Sequence, residues 1–166
     1  MNFWEYIEEV LLMLTLLMIS AFCSAAETAY SAADRNMLDT MSKEKKFGAK
    51  LALKLSVQFD SALSSILIAN TVVCIALSSV GAVVFGDMVR DDEYGAAISG
   101  ALLTILILLF GEISPKLLAK DAAEKLACYL AHPLYVMTWV MTPFCFLVSL
   151  WKRFLMFLFK LKPEEE

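Results

Sequence analysis

The feature that most constrains this chain is a run of twenty-five uncharged residues, 61–85, in which apolar side chains predominate. About twenty such residues in a helix cross a hydrocarbon core roughly 30 Å thick. Similar runs occupy residues 10–26, which small residues extend to 33, and 94–110, which continues towards Pro115. The whole chain is 60% hydrophobic and 19% charged, whereas soluble domains average about 45–50% and 25%. The sequence therefore predicts an all-α integral membrane protein with three transmembrane helices.

Several other classes of protein do not fit this sequence. The flank of the first run holds Glu5, Glu8 and Glu9 and no basic residue, unlike a cleaved signal peptide. The net charge of −4 argues against nucleic-acid partners. The four cysteines form no CxxC pair of the kind found in zinc sites or disulfide frameworks. Because the chain offers neither a nucleophile–base pair nor a phosphate-binding loop, we do not expect an enzyme.

Charged residues between the runs indicate how the helices are oriented. Six lysine and arginine residues lie between 35 and 54, whereas 86–93 holds one basic residue and four acidic ones. By the positive-inside rule the first segment is cytoplasmic, the second is external, and the N-terminus is outside. We therefore expect a multi-pass protein of the plasma (inner) membrane, with a transmembrane core over 1–130, a cytoplasmic loop at 34–60 and a cytoplasmic C-terminus.

The segment 131–162 is apolar and aromatic, but Pro133 and Pro143 interrupt it. A fourth full crossing would place the basic residues near its end on the external side, against the charge bias. We favour two helices bounded by the prolines and lying along the cytoplasmic interface as a juxtamembrane belt. The fourth crossing is the alternative. We expect residues 163–166 to begin a linker to a cytoplasmic region.

Polar side chains inside the first two spans are candidates for function, because charges in a span are costly. On a helix, Glu27 shares a face with Ser20 and Ser24, among alanines that allow neighbouring helices to approach closely. Asn70 lies in the middle of the second span. It either binds a cation or forms a hydrogen bond to a neighbouring helix.

The third span contains the sequence FGEISPK at 110–116. Pro115 lacks an amide hydrogen and, in an α-helix, clashes with the carbonyl of Gly111. A freed carbonyl beside the Glu112 carboxylate is a candidate site for a hard cation such as Mg²⁺, Ca²⁺ or Na⁺. The alternative is a proline kink that ends the span, with Glu112 paired to Lys116.

Three segments together carry a family resemblance: SAFCSAAETA at 20–29, SSILIANT at 64–71 and FGEISPK at 110–116. They resemble the transmembrane domain of the cyclin-M/CorC family of magnesium transporters. The resemblance implies a homodimer with three spanning helices, a juxtamembrane helical belt and a dehydrated Mg²⁺ between the helices. It implies as ligands the side chains of Ser24, Asn70 and Glu112, with backbone carbonyls near Ala25 and Gly111.

The family is described as exporting Mg²⁺ in exchange for Na⁺ and commonly continues into a C-terminal pair of CBS modules, which this chain lacks. From this we assign sodium binding or gating to a second set of residues: Ser20, Glu27, Ser65, Pro115 and Lys116. Membrane lipid is the other expected partner. The competing hypothesis is a membrane anchor and dimerisation module that transports nothing and serves a cytoplasmic regulatory domain.

Overall fold

The computed structural model describes residues 3–88 and 95–158, and every regular element in these two ranges is a helix. The elements in chain order are α1 (Phe3–Ala32), α2 (Arg35–Lys43), α3 (Ala49–Val57), α4 (Phe59–Met88), α5 (Gly95–Leu106), a π-helical segment (Ile107–Ile113), α6 (Ser114–Asp121) and α7 (Ala123–Leu158). The predicted all-α class is confirmed. Most of the predicted external segment 86–93, Tyr94 at the start of the third run, and the predicted linker 163–166 lie outside the described residues.

Four helices in the described residues are long and apolar enough to cross a membrane. They are Trp4–Ala32, Phe59–Phe85, Ile98–Asp121 and Ala123–Val148. The first three contain the predicted spans as far as these are described. The fourth overlaps the segment for which the sequence favoured an interfacial belt, so the count of three spans remains a prediction.

Helices α1 and α4 run antiparallel and pack through small side chains. Ser20 contacts Asn70 near the middle of both helices. Near the end of α1 and the start of α4, the ring of Tyr30 stacks on Phe59 with 6.5 Å between centroids. Small residues on α1 allow this close approach of the two backbones. Those that are fully buried are Ser20, Cys23, Ser24, Ala26 and Ala29.

The expected cytoplasmic loop 34–60 contains a helical hairpin, α2–α3. Asp34 begins it by accepting a hydrogen bond from the backbone N–H of Asn36 at 2.8 Å, which satisfies a free donor at the start of α2. The turn ends at Gly48, whose φ of +71° is readily adopted only by glycine. A Cβ at Gly48 would overlap the carbonyl oxygen of Cys128. The hairpin therefore packs onto α7 with the two backbones in direct contact.

The prediction of two helices separated by prolines is wrong, because α7 continues unbroken through Pro133 and Pro143. Each proline removes only one hydrogen bond and introduces one steric conflict with the preceding turn. Both prolines are exposed on the helix surface, and membrane helices tolerate proline where local adjustments satisfy the freed backbone groups. The residues after Leu158 lie outside the described ranges.

The first half of α7 lies alongside α1 in the opposite direction. The Tyr30 hydroxyl donates to the carbonyl of Ala127 at 2.9 Å, and the Cys23 thiol approaches the Met137 sulfur at 3.9 Å. Later residues of α7 thus meet earlier residues of α1. The first half of α7 therefore runs from the hairpin towards the middle of α1.

The second half of α7 takes a different path. Cys145 lies about 12 Å further along the helix than Met137, yet its sulfur is 3.2 Å from the hydroxyl of Ser65, near the start of α4. By the register between α1 and α4, Ser65 is level with the turn of α1 that contains Cys23 and Ser24. The helix therefore does not advance along the bundle between Met137 and Cys145 and instead crosses it.

Candidate cation site

Two of the predicted site residues meet where α1 and α4 cross. The Ser20 hydroxyl donates a hydrogen bond to Oδ1 of Asn70 at 3.1 Å, and the Cys74 sulfur lies 3.7 Å from the same hydroxyl. The same Oδ1 also accepts a weak hydrogen bond from the Cys74 thiol, with 3.9 Å between sulfur and oxygen. Asn70 therefore bridges the helices, and a cation would compete with these two donors for its amide oxygen.

Ser24 lies one helical turn from Ser20, and both side chains have 0% of their surface exposed. Their hydrogen bonding differs. Among the described residues the Ser24 hydroxyl oxygen has no hydrogen-bond partner. An unsatisfied buried hydroxyl costs free energy, and such groups in native structures often mark a place where an ion or water is bound. Ser24 and one carboxylate oxygen of Glu9 are thus the two buried polar groups of α1 that lack a partner in the described residues.

The chain changes helical period at the predicted FGEISPK motif. Residues Ile107–Ile113 are π-helical, and the N–H of Ser114 donates to the carbonyl of Leu109, five residues earlier. Pro115 then falls in the first turn of α6, where a missing amide hydrogen is tolerated. The sequence predicted an α-helix through this motif. The structure places a π segment there, a form that occurs frequently at functional sites.

Gly111 brings this π segment against α1. A Cβ at Gly111 would lie 3.2 Å from the Ser20 hydroxyl oxygen and 3.4 Å from a Leu17 methyl carbon, so glycine allows the backbone to approach closely. The next residue, Glu112, is partly exposed and lines a cavity of about 680 Å³ together with Asn70. Predicted residues from the second and third spans thus face the same space.

The other lining residues of this cavity come from one face of α4. They are Thr71, Cys74, Ile75, Ser78, Ser79 and Ala82. From this helix the sequence analysis assigned only Asn70 and Ser65 a functional role. The lining positions recur at helical spacing, at 70–71, 74–75, 78–79 and 82, and this spacing was the signal that could have found them. Ser24 and Ala25 are not among the lining residues, and Ser65 faces Cys145 on α7.

Lys116 pairs with Glu27 of α1 rather than with Glu112. The Lys116 nitrogen is 3.2 Å from a Glu27 carboxylate oxygen, with 42% and 28% of the two side chains exposed. The alternative interpretation of the motif, a Glu112–Lys116 pair, is therefore not what the structure contains. Within the described parts of the chain no cation lies within 4.0 Å of the Glu112 carboxylate.

Hydroxyl and amide oxygens with a single carboxylate make up the polar groups of the candidate site. In residues 3–88 and 95–158 no three His, Cys, Asp or Glu side chains are grouped so that they could hold a metal ion. Oxygen donors favour Mg²⁺, Ca²⁺ or Na⁺ over Zn²⁺ or Cu²⁺. Few charged ligands make binding weak enough for an ion to leave again, as transport requires.

Comparison with known proteins adds an independent finding. The family model described as "Cyclin M transmembrane N-terminal domain" matches residues 11–166. A UPF0053 protein of Haemophilus influenzae is 34% identical over 152 residues, which cover 92% of this chain and 36% of that relative. The UPF0053 inner membrane protein YfjD of Escherichia coli is 33% identical over 149 residues, 88% of this chain and 34% of the relative. The chain thus spans about a third of the length of these curated relatives.

Proposed function

Because the chain belongs to the family of cyclin M transmembrane domains, we propose that it carries Mg²⁺ across the membrane, exporting the ion in exchange for Na⁺. The family membership confirms the resemblance seen in the three motifs. The observation that best supports transport through this chain is the cavity that Asn70 and Glu112 line from different helices. An amide oxygen and a carboxylate facing one space inside a membrane domain are suited to a hard cation.

The proposed Mg²⁺ ligands are the side chains of Ser24, Asn70 and Glu112, with backbone carbonyls near Ala25 and Gly111. Mg²⁺ prefers six oxygen ligands at about 2.0–2.1 Å and gives up its water reluctantly. Ser24 supports this proposal because its buried hydroxyl lacks a partner in the described chain, as expected for a ligand whose ion is not bound. Since Ser24 does not line the cavity, loading the site requires α1 to shift relative to α4.

For the sodium or gating step we retain the second set, Ser20, Glu27, Ser65, Pro115 and Lys116. Two contacts and one change of helical period support such a role. Ser20 bonds Asn70, Glu27 pairs with Lys116, and the π segment ends just before Pro115. Each would have to alter if the helices rearranged to open the site to alternate sides.

We further propose a homodimer in an inner membrane, with the N-terminus outside and the α2–α3 hairpin in the cytoplasm. The positive-inside rule supports this orientation, and the name of the Escherichia coli relative says that it is an inner membrane protein. The hairpin covers the α7 backbone at Cys128 and carries lysines that cannot lie in hydrocarbon. Together with the crossing path of the second half of α7, this supports a belt at the cytoplasmic interface rather than a fourth span.

The test is Mg²⁺ flux in proteoliposomes that contain the purified chain and an internal Mg²⁺ indicator, measured with and without a Na⁺ gradient. We expect sodium-dependent flux that falls at least tenfold in Glu112→Gln and in Asn70→Ala. Asp121→Asn is the matched control, because it exchanges an exposed carboxylate for an amide outside the cavity. Size-exclusion chromatography with light scattering determines whether each variant still forms a dimer.

Each result has a distinct meaning. Flux that does not depend on a Na⁺ gradient but is lost in Glu112→Gln would support the proposed site and contradict the proposed exchange for Na⁺. Wild-type flux in both site variants would reject the site. No flux from a folded wild-type dimer that binds no Mg²⁺ would favour the membrane-anchor hypothesis.

A further inference from the structure

A second polar pocket lies at the contact between the α2–α3 hairpin and α7, away from the candidate cation site. Its volume is about 310 Å³. Its lining residues are Lys46, Gly48, Lys50, Leu51, Lys54 and His132. Three lysines and a histidine thus surround one space, and among the residues that the structure describes no acidic side chain lines it.

The helix face on which the lysines of this pocket lie follows from their positions on the hairpin. Lys50 and Lys54 are one turn apart on α3, on the face opposite the buried Ala52 and Leu55. In the part of the chain that the structure describes, neither lysine forms an ion pair, whereas Lys46 pairs with its neighbour Glu44 at 2.7 Å. Two uncompensated positive charges therefore face the pocket.

Aromatic side chains form the rim of the pocket. The ring of Phe47 stacks on His132 with 5.0 Å between centroids, and the Lys54 nitrogen lies 5.6 Å from the ring centre of Tyr135. Phe47 is 68% exposed, and its other ring neighbour, Tyr129, is 69% exposed. Exposed aromatic rings beside lysines are typical of the headgroup level of a membrane.

From this arrangement we propose that the lysine pocket binds the phosphate group of an anionic phospholipid. The lysines supply the positive charge, and the aromatic rim supplies an apolar surface for the upper part of the acyl chains. Basic pockets on the cytoplasmic side of membrane helices bind anionic headgroups, which are enriched in that leaflet. The proposal rests on the cytoplasmic orientation of the hairpin and is independent of Mg²⁺ transport. A soluble phosphate would bind the lysines through the same charge, but it has no acyl chains to contact the aromatic rim.

Native mass spectrometry of the detergent-purified chain tests this proposal. The protein is titrated with phosphatidylglycerol, with phosphatidylcholine, and separately with glycerol phosphate and inorganic phosphate. We expect one tightly bound phosphatidylglycerol per chain and weaker binding of the other three compounds. Since a basic residue near the surface contributes roughly a fivefold effect, Lys50→Gln combined with Lys54→Gln should weaken this binding about 30-fold.

Two further variants separate a specific pocket from general attraction. The pair Lys50→Arg and Lys54→Arg keeps both charges and should retain the lipid. The pair Lys43→Gln and Lys120→Gln removes the same charge outside the pocket and should retain it as well. Equal weakening in this control pair, or equal affinity for phosphatidylcholine, would overturn the proposal. Glycerol phosphate or inorganic phosphate binding as tightly as the lipid would also overturn it, in favour of a soluble anion.

Discussion

Replacing each of two buried serines on α1 by alanine should change the free energy of unfolding in opposite directions. Ser20 and Ser24 both have fully buried side chains, but Ser20 donates to Asn70 at 3.1 Å, whereas Ser24 has no partner in the described residues. Burying an unpaired hydroxyl costs about 1–3 kcal/mol. Ser24→Ala removes that cost and only one heavy atom. We expect it to raise the free energy of unfolding of the metal-free protein by about 1–2 kcal/mol.

Ser20→Ala loses a real hydrogen bond instead. A typical bond of this kind contributes about 0.5–1.5 kcal/mol, and Asn70 would keep access to the cavity that it lines. We therefore expect Ser20→Ala to lower the free energy of unfolding by about 1 kcal/mol. For a chain of this size each kcal/mol shifts the melting temperature by about 2–4 °C. The two variants should thus melt on opposite sides of the wild type when all three are measured in the same nanodiscs without Mg²⁺.

Mg²⁺ adds a second measurement to this pair. If Ser24 is a ligand, the stabilisation of the wild type by Mg²⁺, about 2.7 kcal/mol at a hundred times Kd, should shrink markedly in Ser24→Ala. A metal-free Ser24→Ala protein that melts as far below the wild type as Ser20→Ala would refute the orphan-hydroxyl argument. A stabilised Ser24→Ala protein with unchanged Mg²⁺ response would refute its role as a ligand.

Other predictions concern the hairpin and the ion pair. Gly48→Ala should destabilise by more than 2 kcal/mol, because it combines a left-handed backbone penalty of about 1–2 kcal/mol with overlap against the α7 backbone. Gly100→Ala, whose Cβ would meet nothing within 4 Å, should leave thermal unfolding within about 1 kcal/mol of wild type. Glu27→Gln should weaken stabilisation by Mg²⁺, because it releases the Lys116 ammonium near the Glu112 carboxylate. An unchanged Mg²⁺ titration in Glu27→Gln would contradict this explanation.

The long apolar helices and their small-residue faces could be predicted because they depend on local properties of the sequence. A run of apolar residues sets the length of a helix, and the spacing of Ser20 and Ser24 sets a face. The partners of these side chains could not be predicted in the same way. The contact between Ser20 and Asn70, and the pairing of Glu27 with Lys116, depend on how far one helix slides along another. Nothing local in the sequence fixes that register.

The two errors of local prediction share a cause. Proline was taken to end helices in the segment 131–162, and the FGEISPK motif was taken as α-helical up to its proline. In the structure α7 absorbs both of its prolines, and the third span changes to a π segment before Pro115. The penalty of a proline is a few kcal/mol, small enough for the packing of a long helix to override. Proline therefore marks where a membrane helix adjusts, without specifying how.

The arrangement of charges explains why the proposed cation site would need α1 as well as the two helices that line it. Lys116 follows Glu112 closely in sequence and would be its natural partner, in which case the carboxylate would be neutralised before any ion arrived. Glu27 on α1 pairs with that lysine at 3.2 Å instead, so among the described residues the Glu112 carboxylate faces the cavity with Asn70 and has no cationic partner. Sliding of α1 relative to the third span would break this pair and return Lys116 to Glu112. The same movement would also displace Ser20 from Asn70. One displacement of α1 would therefore change both the charge and the geometry of the site, which is what coupling a conformational change to ion release requires.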